Sequence, residues 1–193
     1  NPYQWTIESF SNPDDPGNHG FAYFPGMLFI FAPFHLISLK TGVPNYLLWK
    51  IPILLADIGV GLLLFYHFYK KSWFAMTAAL VLWFFHPYFV MKSNYVFTEP
   101  LTIFFMFVGL YFLEKDDVLA GTFYAVSIMT KTFPYIILPV FLLKAKNKTK
   151  IILAMTMVGI FFSAPFLSSW QDILTYVNGA LFIHSNRFIQ GRP

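Results

Sequence analysis

The chain has 193 residues, 57% of them hydrophobic and only 11% charged, with a formal net charge of +4. Soluble domains carry about a quarter of their residues as charges, so a water-soluble reading lacks half of the ions it needs. A mean hydropathy of +0.58 points to lipid as the solvent, where apolar surface needs no ionic coat. The absence of Cys excludes disulfides, thiolate metal sites and a Cys nucleophile. The lysines bracket apolar segments rather than interleaving with aromatics, which argues against nucleic-acid binding.

A helix needs about 20 mostly apolar residues to cross a bilayer. In chain order, such stretches cover residues 21–39, 46–68, 73–91, 100–113, 119–143 and 151–167. The third is interrupted by His86-Pro87, the fourth is short, and the fifth carries Lys131 and Pro134 at its centre. After them Trp170, Ile173, Leu174, Val177 and Leu181 recur at helical spacing, the pattern of an interfacial helix. The expected fold is an all-α polytopic transmembrane helical bundle, with about six spanning segments plus an interfacial helix. Residues 1–20 form an external loop, residues 21–167 the bundle, and residues 168–193 an external interfacial helix and loop. The start at Asn1 and the abrupt end at Pro193 read as a fragment lacking elements at both ends.

Six crossings put alternate loops on opposite sides. Lys40, Lys50, Lys92, Lys144, Lys146, Lys148 and Lys150 then share one side, and Lys70, Lys71, Lys115, Arg187 and Arg192 the other. The positive-inside rule makes the first side cytoplasmic and both termini external. A sequon at Asn147-Lys148-Thr149 would then face the cytoplasm, where it is not glycosylated.

Ionisable residues inside spans cost roughly 2.5–3.5 kcal/mol at bilayer centre on insertion scales, so they face the bundle interior and find partners. Asp57 and Lys131 are such residues, expected to pair or to face one polar cavity. That pair either fixes helix packing or touches substrate. Pro134 removes a backbone donor and opens its helix, which can expose carbonyls beside Lys131 as in broken transporter helices. Asp14 and Asp15 could bind a divalent cation or act as a general base, or simply belong to a turn with Pro16 and Gly17. In the polar island S-N-Y-V-F-T-E-P at residues 93–100, Glu99 is a candidate, with Thr98 as N-cap and Pro100 in the first turn. His184, Asn186, Arg187 and Arg192 form a cationic cluster suited to phosphate, or a solvated face.

Taken in order, these segments resemble the superfamily C membrane glycosyltransferases, which use polyprenyl-phosphate sugars, and especially their mannosyltransferase-like branch. The resemblance rests on N-P-Y at residues 1–3, Y-F-P-G at 23–26, K-I-P-I-L-L-A-D at 50–57 and F-H-P-Y at 85–88. It continues through the polar island at 93–100, M-T-K-T-F-P-Y-I-I-L-P at 129–139 and A-P-F-L at 164–167. It departs where Gly26 and His86 stand for a family Pro and Asn. The family's base carboxylate usually lies shortly before N-P-Y, so the true base is expected upstream of Asn1, with Asp14 or Asp15 as the alternative within the chain.

The resemblance implies a multi-pass membrane enzyme of the cell membrane, or of the endoplasmic reticulum in a eukaryote. Its partners would be a polyprenyl-phosphate sugar and the bilayer. A carboxylate takes the acceptor's proton, and a cation or bound divalent metal meets the departing phosphate. Tyr23, Asp57, Glu99, Lys131, Arg187 and Arg192 become substrate-binding candidates, and no residue is assigned as a metal ligand. Two other readings stay open: a transporter or lipid-linked sugar flippase half, motivated by Asp57, Lys131 and Pro134, and a non-catalytic scaffold subunit.

Overall fold

A computed structural model describes residues 3–4, 7–8, 24–94 and 97–182, without the side chains of residues 92, 94, 181 and 182. Among the described residues there is no strand. Residues 3–4 and 7–8 are helical, and from residue 24 on the α-helices among the described residues are α1 (Gly26–Thr41), α2 (Asn45–Phe68), α3 (Trp73–Phe85), α4 (Pro87–Asn94), α5 (Glu99–Phe112), α6 (Asp117–Thr130), α7 (Leu138–Lys144), α8 (Lys148–Ser163) and α9 (Trp170–Val177). The all-α expectation holds.

Helix α2 and the stretch Lys148–Phe166 are long and apolar enough to cross a membrane. Helices α1, α3, α5 and α6 are apolar but shorter. A 14-residue helix such as α5 or α6 rises only about 21 Å, less than the roughly 30 Å of a hydrocarbon core. The third predicted segment is two helices, because His86 before Pro87 is extended (φ −67°, ψ 125°).

The fifth expected segment is not one continuous helix. Helix α6 ends at Thr130 and Lys131 is extended (φ −158°, ψ 151°). The chain then makes a 3-10 turn over Phe133–Ile136 and folds back as α7. The reason is local: Pro134 has no N–H to offer the Thr130 carbonyl and its ring crowds that carbonyl, so the helix cannot run on through it. The Pro134 carbonyl accepts from Ile137 N at 3.0 Å and also from the Tyr124 hydroxyl at 2.7 Å. The Tyr124 ring stacks on Phe141 of α7 at 4.0 Å, which holds the returning helix against α6. Segment 119–143 is therefore a helical hairpin whose two ends lie together. Lys146 Nζ donates to the Glu114 carbonyl at 2.6 Å, and Asn147 N donates to Asp117 Oδ2 at 3.1 Å. Lys144, Lys146, Lys148 and Lys150 thus join Lys115 rather than opposing it.

The core sits between α5, the hairpin and α8, around Met106, Leu113, Ala120, Tyr124, Ile128, Phe141 and Ile151. Gly121 lets α6 and α8 approach until their backbones touch: a Cβ there would lie 2.7 Å from the Ile151 carbonyl oxygen. Small residues at such crossings replace the hydrophobic drive that lipid does not supply.

A second cluster joins the ends of the chain. Tyr3 packs edge-on against Phe166 at 5.4 Å and Tyr176 at 5.0 Å, with Phe24, Met129 and Ala180 completing the cluster. Helix α9 and the turn Asn178–Phe182 occupy the predicted interfacial helix. Asn147 of the sequon is a helix cap, its Oδ1 accepting from Lys150 N at 3.1 Å.

Gly121→Ala should lower thermal stability in detergent by about 1–3 kcal/mol, because backbone must move to admit the methyl. Gly159→Ala, at a helical glycine with nothing within 4 Å, should be neutral or stabilise by up to about 1 kcal/mol. Equal melting shifts for the two variants would show that the α6–α8 contact does not set the packing.

Candidate functional site

The break at the end of α6 places an ammonium beside a carboxylate. Lys131 Nζ lies 2.9 Å from Glu99 Oε1, with the two side chains 20% and 14% exposed. Glu99 opens α5 and Lys131 follows the last residue of α6. The two helices run antiparallel, so the anion sits at a positive helix end and the cation at a negative one. Thr98 holds the N-cap position without a side-chain bond, and Pro100 occupies the first turn.

A seam of hydroxyls fixes this end of the helix pair. Thr102 Oγ1 lies 2.9 Å from Thr130 Oγ1 and 3.1 Å from the Thr98 carbonyl it donates to. Ser127 Oγ donates to the Thr102 carbonyl at 2.9 Å, and Thr130 Oγ1 donates to the Ser127 carbonyl at 2.6 Å. Thr102, Ser127 and Thr130 are fully buried, and every hydroxyl has a partner, as apolar surroundings require.

Asp57 is not the partner of Lys131. Its Oδ2 accepts from Ser93 Oγ of α4, and its backbone carbonyl accepts from Trp83 Nε1 of α3 at 3.1 Å. Helix α2 brings Lys50 to the same face, seven residues earlier, so both line a cleft of about 460 Å³ with Ser93, Leu54 and Phe84. The expected single polar cavity is therefore two polar centres. The segment from Ser93 to Glu99 connects them, giving Ser93 to one and Glu99 to the other.

The aromatic cluster stands next to the break. Phe24 lies 6.3 Å from Tyr176 and 6.4 Å from Tyr135 of the 3-10 turn. Gly26, at the start of α1, meets the Met129 backbone in α6. Burial pushes the Tyr3 phenol far up, with Tyr176 adding to the shift. It raises Tyr176 as well, against the opposing hydrogen bond from Ser163. Both phenols stay protonated at physiological pH.

Of the predicted site residues, Asp57, Glu99 and Lys131 are described, whereas Asp14, Asp15, Tyr23, Arg187 and Arg192 lie outside the described residues. Among the described residues no three His, Cys, Asp or Glu side chains gather as metal ligands would. Sequence reasoning passed over Lys50, Thr102 and Ser127 as site residues. Lys50 and Asp57 differ by two helical turns, which was a readable signal. Ser127 and Thr130 share a helix face at i, i+3, but only the antiparallel packing reveals Thr102 as their partner.

Glu99→Gln and Lys131→Met should each destabilise the protein, and the double variant should lose less than the sum, a coupling of about 1–3 kcal/mol. Asp57→Asn with Lys131→Met should be additive within about 0.5 kcal/mol. Denaturation in mixed micelles reads both cycles; coupling of Lys131 to Asp57 instead of Glu99 would refute this pairing.

No curated protein and no solved structure matches the chain. Residues 21–191, nearly the whole length, match Glycosyltransferase family 87. Its members are membrane proteins, in keeping with the apolar helices described above. The chain belongs to Glycosyltransferase family 87, and its activity is that of a membrane-bound transferase of sugars.

Proposed function

We propose that the chain forms part of a multi-pass enzyme that moves a mannose-like hexose from a polyprenyl-phosphate donor to an acceptor hydroxyl at the external or lumenal membrane face. The donor's tail stays in the bilayer while its sugar phosphate reaches the end of the bundle that carries Lys131. The acceptor oxygen bonds to the anomeric carbon as the bond from that carbon to the phosphate oxygen breaks. The acceptor's proton passes to a carboxylate, and the lipid phosphate leaves with the bonding pair. One displacement of this kind inverts the anomeric centre.

One observation carries this reading: Lys131 is held by Glu99 at a helix break, beside the cluster on which both Tyr3 and Phe24 pack. Those two residues flank Asp14 and Asp15 in sequence. In this reading Lys131 meets the departing phosphate and Glu99 fixes the ammonium. Arg187 and Arg192 add charge from the tail, and Asp14 or Asp15 is the base within the chain. Tyr23 and Asp57 bind hydroxyl groups of the substrates, Asp57 from its cleft with Lys50. Residues 1–20 and 168–193 are external and residues 21–167 form the bundle.

The helix break beside Lys131 also suits a flippase or transporter half, which gives the experiment its second arm. Purified full-length protein in nanodiscs receives radiolabelled polyprenyl-phosphate hexose and acceptor. Lys131→Met should lower transfer about 10²-fold, and either Asp14→Asn or Asp15→Asn should lower it by at least about 10²-fold. Transfer unchanged in all three variants would refute these assignments. Donor crossing vesicle membranes without any sugar transfer would favour the transporter.

A further inference from the structure

We infer that the end of the bundle opposite Lys131 is a docking surface for anionic phospholipid headgroups and is the cytoplasmic end of the protein. The inference comes from the fold-back of α7 and does not depend on the sugar-transfer reading.

The hairpin brings Lys144, Lys146, Lys148 and Lys150 beside Lys115, through the contacts of Lys146 with Glu114 and Asn147 with Asp117. The last turns of α2 run along those of α5, where Leu63, His67 and Phe68 face Phe107, Leu110 and Tyr111. That packing adds Lys70 and Lys71 to the same end. All seven lysines are exposed, and among the described residues none is salt-bridged. The nearby acids are occupied in part: Asp116 Oδ1 accepts from Val118 N and Leu119 N, and Asp117 Oδ2 from Asn147 N.

A second observation places this end at a membrane–water boundary. Tyr66, Tyr69, Trp73 and Tyr111 are exposed here, the aromatic residues that settle at headgroup level. Lys115 Nζ lies 3.5 Å from the centroid of Tyr111, and Lys70 Nζ 5.4 Å from that of Tyr69. Cations just beyond an aromatic belt meet lipid phosphates, and an anionic leaflet supplies the excess negative charge that uncompensated lysines attract. The positive-inside rule then makes this the cytoplasmic end. Sequence alone had divided these lysines between two sides; the hairpin reunites them.

The full-length protein, with any native cysteines outside these residues replaced, tests both parts through Thr149→Cys, since the chain itself has no Cys. A dye on this cysteine is reconstituted in phosphatidylcholine vesicles holding about one-fifth phosphatidylglycerol, in line with the anionic leaflets considered above. Energy transfer to labelled phosphatidylglycerol should exceed that to labelled phosphatidylcholine about threefold, and the excess should collapse in 1 M salt, where the Debye length is about 3 Å. The triple variant K144Q/K148Q/K150Q, which spares the Lys146–Glu114 contact, should bring the ratio close to one, and the K→R triple variant should keep it. In intact cells a membrane-impermeant maleimide should leave Thr149→Cys unlabelled until the membrane is opened. Equal transfer to the two lipids overturns the docking surface, and labelling in intact cells overturns the orientation.

Discussion

A peptide group within a bilayer has no water to bond, so a helix that stops there must find its hydrogen bonds in the protein. Helix α6 stops at Thr130 because Pro134 cannot continue it, and the rest of the architecture follows from how the turn after that stop is held. Tyr124 adds its hydroxyl to a Pro134 carbonyl that Ile137 N also reaches, and supplies the ring on which Phe141 stacks. With that contact made, the chain returns the way it came. The return leaves Lys131 at the tip of the hairpin and carries four lysines back to the starting end.

The pairing of Lys131 with Glu99 rather than Asp57 has an electrostatic and a geometric cause. Neighbouring antiparallel helices put the C-terminal end of one beside the N-terminal end of the next. A cation and an anion at those two ends are favoured by the helix dipoles and by each other. Asp57 sits in the middle of α2, where no helix end assists it, and takes its hydrogen bond from Ser93 instead. The hydroxyl seam of Thr102, Ser127 and Thr130 then holds α5 and α6 in the register that keeps the ion pair closed.

The helical class, the apolar segments and the breaks at His86 and Pro134 were legible in the sequence, because each depends on composition or on the missing proton of a proline. The direction taken after Pro134 was not. A 25-residue apolar run reads equally well as one crossing or as two short antiparallel pieces, and only the tertiary contact of Tyr124 with Phe141 chooses between them. The division of Lys115 from Lys144, Lys146, Lys148 and Lys150 followed from that ambiguity. Glu99 and Lys131 were legible individually as costly charges that need partners. Their partnership was not, since charge in a sequence has sign but no depth, and depth depends on which helices are short. Thr102 was hidden because a threonine in a membrane helix is commonplace until a second hydroxyl is packed on it.

The segment between Ser93 and Glu99 ties the two polar centres together. Ser93 closes α4 against Asp57 and Glu99 opens α5 against Lys131, six residues apart in the chain. A group in the Lys50–Asp57 cleft meets Ser93 of α4, whereas Glu99 belongs to the start of α5. The Glu99 carboxylate rides on that start. Its partner Lys131 is the more constrained of the two, because it follows a helix locked by Gly121 against α8 and precedes a turn held by Tyr124. The ammonium is thus held from both sides of the break, and Glu99, on a helix start whose first turn Thr102 closes through the Thr98 carbonyl, holds it from a third.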